Sequence, residues 1–199
     1  MTSPPTSHAS SSALPHADAH ADAHATLQAW IAAEQALLAR AQAGPGVATP
    51  AQIEGKSGME LMQGTLNGTL PSATMVHTVG ALMVEATEGR VVFQGTPGAG
   101  HLNPMGTVHG GWFATLLDSA LGCAVHTLMP PGRGYTTAEF SINIVRALTP
   151  RVQRVRAIGQ VVHCGRQLAT AEGRLVGPDG TLYAHATTTC LVFDMKPQK

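Results

Sequence analysis

Within NPMGTVHGGWFATLLDSALGCAVH, Asn103–His126, a single acid stands among glycines, small residues and large apolar ones. That acid is Asp118, and a carboxylate can act as a general base toward water or as a nucleophile toward an electrophilic carbonyl. Upstream of it His109 is followed by Gly110 and Gly111. Glycines there let a ligand approach the backbone closely, and the first turn of a helix leaves N–H groups unpaired with the positive end of the helix behind them. Such a place suits an oxygen that becomes negative. Gly110 and Asp118 are nevertheless separated by roughly 12 Å along one helix at 1.5 Å per residue, so one small reacting group cannot touch both in the same chain.

The elements that would position these groups follow from the spacing. Trp112, Phe113, Leu116, Leu117, Ala120, Leu121 and Ala124 form one broad helical stripe. Asp118 lies about 150° from the middle of that stripe, beside Ala114, Thr115, Ser119 and Gly122. A surface helix would carry Lys, Glu, Gln and Arg on its second face, and this one has none. The pattern predicts a helix covered by its own sheet on the large face and by a close neighbour on the small face, most economically a second copy of the chain. Two antiparallel copies packed on their small faces would bring Gly110 of one near Asp118 of the other.

Downstream, Ala138, Phe140, Ile142 and Ile144 alternate with Thr137, Glu139, Ser141 and Asn143, a strand with one packed face and one polar face. This alternation puts Thr137 in the polar row. Three further strands are predicted over about 152–164, 167–176 and 182–193, with turns at Cys164-Gly165-Arg166 and Gly177-Pro178-Asp179-Gly180. An earlier pair, about 80–85 and 90–96, turns at Glu88-Gly89. Antiparallel hairpins with one long buried helix fit an α+β fold better than a βαβ sheet.

The pattern of Asn103, Gly106, His109-Gly110-Gly111 and Asp118 resembles the hotdog-fold thioesterases, on the branch of the phenylacetate-degradation thioesterases and thioesterase superfamily member 2. The resemblance extends through Thr136–Leu148 and Gly165–Phe193 and, more loosely, back to about Ser57. It implies a curved antiparallel sheet wrapped around a long central helix, preceded here by a helical extension. It also implies hydrolysis of an acyl-coenzyme A thioester without a cofactor. Asp118 would activate water or attack the thioester, the Gly110 N–H would polarise the carbonyl, and Asn103 would hold the water or carbonyl. His109 would order the helix start, and Thr137 matches the position of an assisting hydroxyl. Hotdog domains also serve as dehydratases and as non-catalytic binders, so an acyl-coenzyme A-binding subunit is the competing reading.

Between Glu139 and Glu172 there is no acid but five arginines, at 146, 151, 154, 156 and 166. Arginine forks match the phosphates of coenzyme A. Arg146 and Arg166 are the candidate contacts, with Arg151 to Arg156 read as the solvated side of a strand. No recognition helix or aromatic basic surface accompanies them, which argues against nucleic acid.

Zero formal charge and a pI near 7.2 offer no broad attraction to nucleic acid or an anionic membrane. No run is long enough to span a bilayer. The first residues lack the basic and apolar regions of a secretory signal, and Cys123, Cys164 and Cys190 form no paired motif, which together predict a cytoplasmic protein with reduced thiols. The chain divides into a disordered tail over 1–25, a helical extension and linker over 26–56, and a hotdog domain over 57–199. His16, His20 and His24 have the i, i+4 spacing of metal ligands but no acid or cysteine beside them, and no metal site is assigned. Leu27, Trp30, Ile31, Leu37 and Leu38 mark a helix to about Ala43 that either packs outside the domain or covers a substrate channel. Met59, Leu61, Met62 and Leu66 either line an acyl or aryl pocket or fill ordinary core gaps. His101, close to Asn103, either borders the site or is a satisfied surface histidine.

Overall fold

The computed structural model describes residues 16–195. Four helices come first: α1 (His16–Arg40), α2 (Pro50–Ile53), α3 (Gly58–Leu66) and α4 (Thr74–Thr78). The tail expected over 1–25 lies outside the described residues as far as residue 15, and from His16 the chain is helical. At α3, Ser57 accepts from the Glu60 N–H while the Glu60 carboxylate accepts from the Ser57 N–H, a reciprocal cap that fixes the helix start.

The strands are β1 (Ala81–Thr87), β2 (Arg90–Gly95), β3 (Arg133–Ile144), β4 (Val155–Cys164), β5 (Leu168–Val176) and β6 (Leu182–Asp194). Helix α5 (Gly110–His126) lies between β2 and β3 in sequence. All six strands form one antiparallel sheet in the order β1-β2-β4-β5-β6-β3. The large stripe of α5 supplies the core: Phe113, Leu116, Leu117, Ala120, Leu121 and Ala124 are all buried against the sheet. Close approach is built into β4, where a Cβ on Gly159 would lie 2.4 Å from the backbone oxygen of Ala120.

The α+β arrangement of a central helix and an antiparallel sheet holds, but the expectation of a sheet wrapped around the helix is corrected. The sheet is open, with β1 and β3 as separate edges that do not pair with each other. Helix α5 lies across one face of it. The physical reason is that α5 has only one large apolar stripe to bury. On the other side β3 reaches the helix but ends the sheet, and Asp118 beside it remains exposed, so no further strand covers that face.

The two edges differ. Beside β1 lie α1, α3 and α4, and Gln63 of α3 donates through Nε2 to the Ala86 carbonyl at 3.1 Å. The β3 edge has no such cover from the described residues.

Helix α1 docks on the sheet face opposite α5. Phe93 and Gly95 face the core, so Gln94 between them points outward, where its Nε2 donates to the Trp30 carbonyl at 3.1 Å and to Glu34 at 2.6 Å. Arg154 forms an ion pair with Glu34 at 2.7 Å, and the Arg156 guanidinium lies 4.4 Å from the centre of the Trp30 ring. Two of the five clustered arginines therefore hold α1 in place. They are not the solvated side of a strand, as their spacing suggested.

Candidate active site

Strand β3 runs beside the small face of α5. Its register with β6 slips between Thr137, opposite Cys190, and Glu139, opposite Thr189, leaving Ala138 as the extra residue of a bulge. A bulge reverses the side to which later residues point. Tyr135 and Thr137 before it, and Phe140, Ile142 and Ile144 after it, therefore all face α5. This accounts for a hydroxyl that simple alternation assigned to the polar face. Thr137 donates through Oγ1 to Asp118 Oδ1 at 3.0 Å.

Two residues earlier on β3, Tyr135 lies over Gly122, where an added Cβ would be 2.9 Å from its hydroxyl oxygen. Its ring meets His126 edge-on with centroids 5.4 Å apart. The row Asp118, Gly122, His126 is thus matched by Thr137 and Tyr135 on the strand. Burial first, and the closeness of Cys123, Cys190 and Asp118 after it, pushes the Tyr135 phenol well up. Cys123 is pushed up to about 12 by burial first and the Asp118 charge second. Burial pulls His126 below its usual value. The groups nearest Asp118 along this row are therefore uncharged near neutral pH. Sequence reasoning missed Tyr135, and its signal is the i, i+2 spacing from Thr137.

The helix start forms a second group. His109 is the N-cap residue of α5, and its Nδ1 accepts from the Gly111 N–H at 2.9 Å. Gly110 takes the first helical position, where the intrahelical ladder supplies no acceptor for its N–H. Ile144 lies against it, 3.2 Å from where a Cβ would be. Asn103 closes the preceding loop: its Oδ1 accepts from Met105 N–H at 2.9 Å and Thr107 N–H at 3.3 Å, and its Nδ2 donates to Thr107 Oγ1 at 2.9 Å. An amide carries two such hydrogens, so one remains for a water or carbonyl. Gly106 completes the turn at a φ of +80°, which side chains rarely adopt.

The structure therefore brings together Thr137 with Asp118, and separately Asn103, His109 and Gly110 at the mouth of α5. Arg146 and Arg166 are both exposed and sit at opposite ends of β3: Arg146 follows its last residue, whereas the Arg166 carbonyl accepts from Arg133 at its first. Twelve strand residues at about 3.3 Å each put them roughly 40 Å apart, so one coenzyme A cannot reach both in one chain. Arg146 shares its end of the molecule with Gly110. His101, the other residue near the loop, is occupied structurally, with Nδ1 accepting from the Gly98 N–H at 3.0 Å and its ring 5.7 Å from that of Trp112. No group of three His, Cys, Asp or Glu among the described residues could hold a metal ion.

Residues 105–184 match the family model described as the thioesterase superfamily. Among solved structures, a thioesterase family protein from Silicibacter pomeroyi is 28% identical, with 60% of this chain and 89% of that chain covered and a TM-score of 0.56. The phenylacetic acid degradation protein PaaI of Thermus thermophilus is 28% identical over 59% of this chain and 97% of its own, with a TM-score of 0.54. A phenylacetic acid degradation-related protein of Ralstonia eutropha shares the fold at 24% identity, covering 65% of this chain and 97% of its own with a TM-score of 0.60. No curated protein matches the chain at a significant level. Over residues 105–184 the chain is thus similar to the thioesterase superfamily, and it resembles these solved structures in fold. No helix among the described residues is long and apolar enough to cross a membrane.

Proposed function

We propose that this protein hydrolyses an acyl- or aryl-coenzyme A thioester to the free acid and coenzyme A. The observation that carries this reading is the hydrogen bond from Thr137 to Asp118, made by a strand whose register slips just after Thr137. A carboxylate held by a hydroxyl on the open side of a helix is oriented for a reagent arriving from outside the chain. In this reading Asp118 either takes a proton from water or attacks the thioester carbonyl itself. The oxygen that becomes negative rests on the Gly110 N–H, and collapse of the adduct expels the coenzyme A thiolate. Arg146 meets the phosphates from the same end as Gly110.

Gly110 and Asp118 serve one carbonyl only if they come from different chains. The reading therefore includes self-association, as a dimer or a dimer of dimers, with each site shared between two subunits. The test is free-thiol release from a panel of acyl-coenzyme A thioesters, comparing native protein with Asp118→Asn at matched folding and oligomeric state. Asp118→Asn is expected to lose about 10²- to 10⁴-fold in kcat/KM. Unchanged release would remove Asp118 from the mechanism, and no release by either protein would turn the reading to a non-catalytic acyl-coenzyme A-binding subunit.

A further inference from the structure

A cavity of about 530 Å³ lies between the N-terminal helices and the C-terminal half of α5. Its size falls within the roughly 300–1,000 Å³ of small-molecule sites. Leu37 of α1, Met62 and Leu66 of α3 and Phe93 of β2 supply apolar wall, and α5 contributes Cys123 and His126. The cavity stands apart from the candidate active site. None of Asp118, Gly122, Tyr135 and Thr137 lines it, and Tyr135 packs on Gly122 and edge-on against His126, across the helical row that leads to the acid. Most of its wall comes from residues 37–93, outside the 105–184 segment shared with the family model.

No Asp, Glu, Lys or Arg lines the cavity, and its titratable groups are the exposed His77 and, from α5, Cys123 and His126. Cys123, pushed up to about 12 by burial first and the Asp118 charge second, stays a thiol, and burial favours neutral His126. An ionic group placed here would lose its water with no opposite charge in exchange, so a guest must be uncharged. Exposure says that it must also be apolar. Leu38, Val47 and Met75 are the large apolar side chains left exposed among the described residues before Leu102, at 50%, 89% and 53%, and all three line this one cavity. Exposed apolar surface gathered at one place marks a binding site, where the same residues scattered singly would mean nothing. Met62, Met75 and Met83 add unbranched side chains that adapt to a guest. Lastly, the His126 ring has no hydrogen-bond partner among the described residues: desolvation alone moves its titration, and no polar side-chain atom is sealed away unsatisfied. A neutral imidazole offers one donor and one acceptor.

We propose that the cavity is a second ligand site, for an uncharged apolar small molecule with one neutral hydrogen-bonding group, such as a hydroxyl or carbonyl, that His126 meets. This goes beyond the thioesterase reading and does not rest on it, since neither coenzyme A phosphates nor a free carboxylate suits an uncharged wall. The test titrates the full chain by calorimetry with three matched probes, 4-butylphenol, butylbenzene and 4-butylbenzoate, at about pH 8, where an ordinary histidine is neutral. Native protein is expected to bind one 4-butylphenol per chain, with butylbenzene about two- to tenfold weaker for want of one hydrogen bond. The carboxylate is expected to bind at least about tenfold more weakly than the phenol. His126→Phe keeps a ring against Tyr135 without its nitrogens, and should lower the phenol to the affinity of butylbenzene while leaving butylbenzene itself unchanged. Met62→Trp, or Leu61→Trp should the first not fold, fills the cavity and should abolish binding of all three. Asp118→Asn should bind the phenol as native protein does. No binding of 4-butylphenol to native protein, equal binding of the carboxylate, or native affinity in a folded filling variant would each overturn the proposal. Should neither filling variant fold, the His126→Phe comparison decides it. Absence of thiol release would remove the thioesterase reading and leave every one of these outcomes as it stands.

Discussion

Gly110 can be exchanged for proline without asking the backbone for a new conformation. His109 before it has φ −63° and ψ 139°, the extended geometry a following proline requires, and the first position of a helix tolerates proline because its N–H has no intrahelical partner. Gly110→Pro therefore deletes one donor while keeping the helix. Loss of an oxyanion donor costs about 10²- to 10³-fold in kcat, so that loss with an unchanged unfolding midpoint is the expected outcome of steady-state kinetics beside a denaturant titration. A change of only a few fold would take this amide out of the mechanism. At this scale the sequence was informative where a residue was out of place. Asp118 was legible because it is the sole acid on a face of small residues, and Gly110 because of its helix start. Tyr135 was not legible, since its relation to Gly122 and His126 exists only once β3 is laid beside α5.

Among the elements, β4 and α5 are joined at a point that admits no side chain. In Gly159→Ala the new Cβ would fall 2.4 Å from the Ala120 carbonyl oxygen, a backbone atom that cannot rotate away. Overpacking of this kind costs about 1–3 kcal/mol, and a fixed backbone obstacle places this variant at about 3 kcal/mol. Urea unfolding followed by circular dichroism measures it, and a cost below about 0.5 kcal/mol, within the range of indifferent surface changes, would show that the helix can lift off the strand. Local patterning gave α5 and the positions of the strands to within a few residues, because periodicity and turn residues are local signals. The bulge at Ala138 was hidden, since an extra residue is defined only against the partner strand, and with it the true face of Thr137. The roles of Arg154 and Arg156 were hidden for a similar reason. Their partners, Glu34 and Trp30, lie more than a hundred residues away in the chain. The open form of the sheet, in place of a wrapped one, likewise depends on how all six strands pair.

At the scale of the whole molecule, the question is whether one chain makes a site. Asp118→Asn and Gly110→Pro damage different halves of it. If the halves come from different subunits, unfolding the two inactive variants together and refolding them recovers activity. Random pairing gives half mixed dimers, each with one intact site of two, or about a quarter of native activity. Thiol release after refolding measures this, and no recovery above the separately refolded variants would place both groups in one chain. The helices that precede the sheet have a consequence here. They obstruct β1, where α3 and α4 lie alongside and Gln63 takes the Ala86 carbonyl, and among the described residues β3 is left bare. Were two chains to join bare strand to bare strand, nowhere would be left for a third to add. In such a pair the N-terminal helices would end sheet growth, since the covered β1 edges offer no strand on which a ribbon could continue.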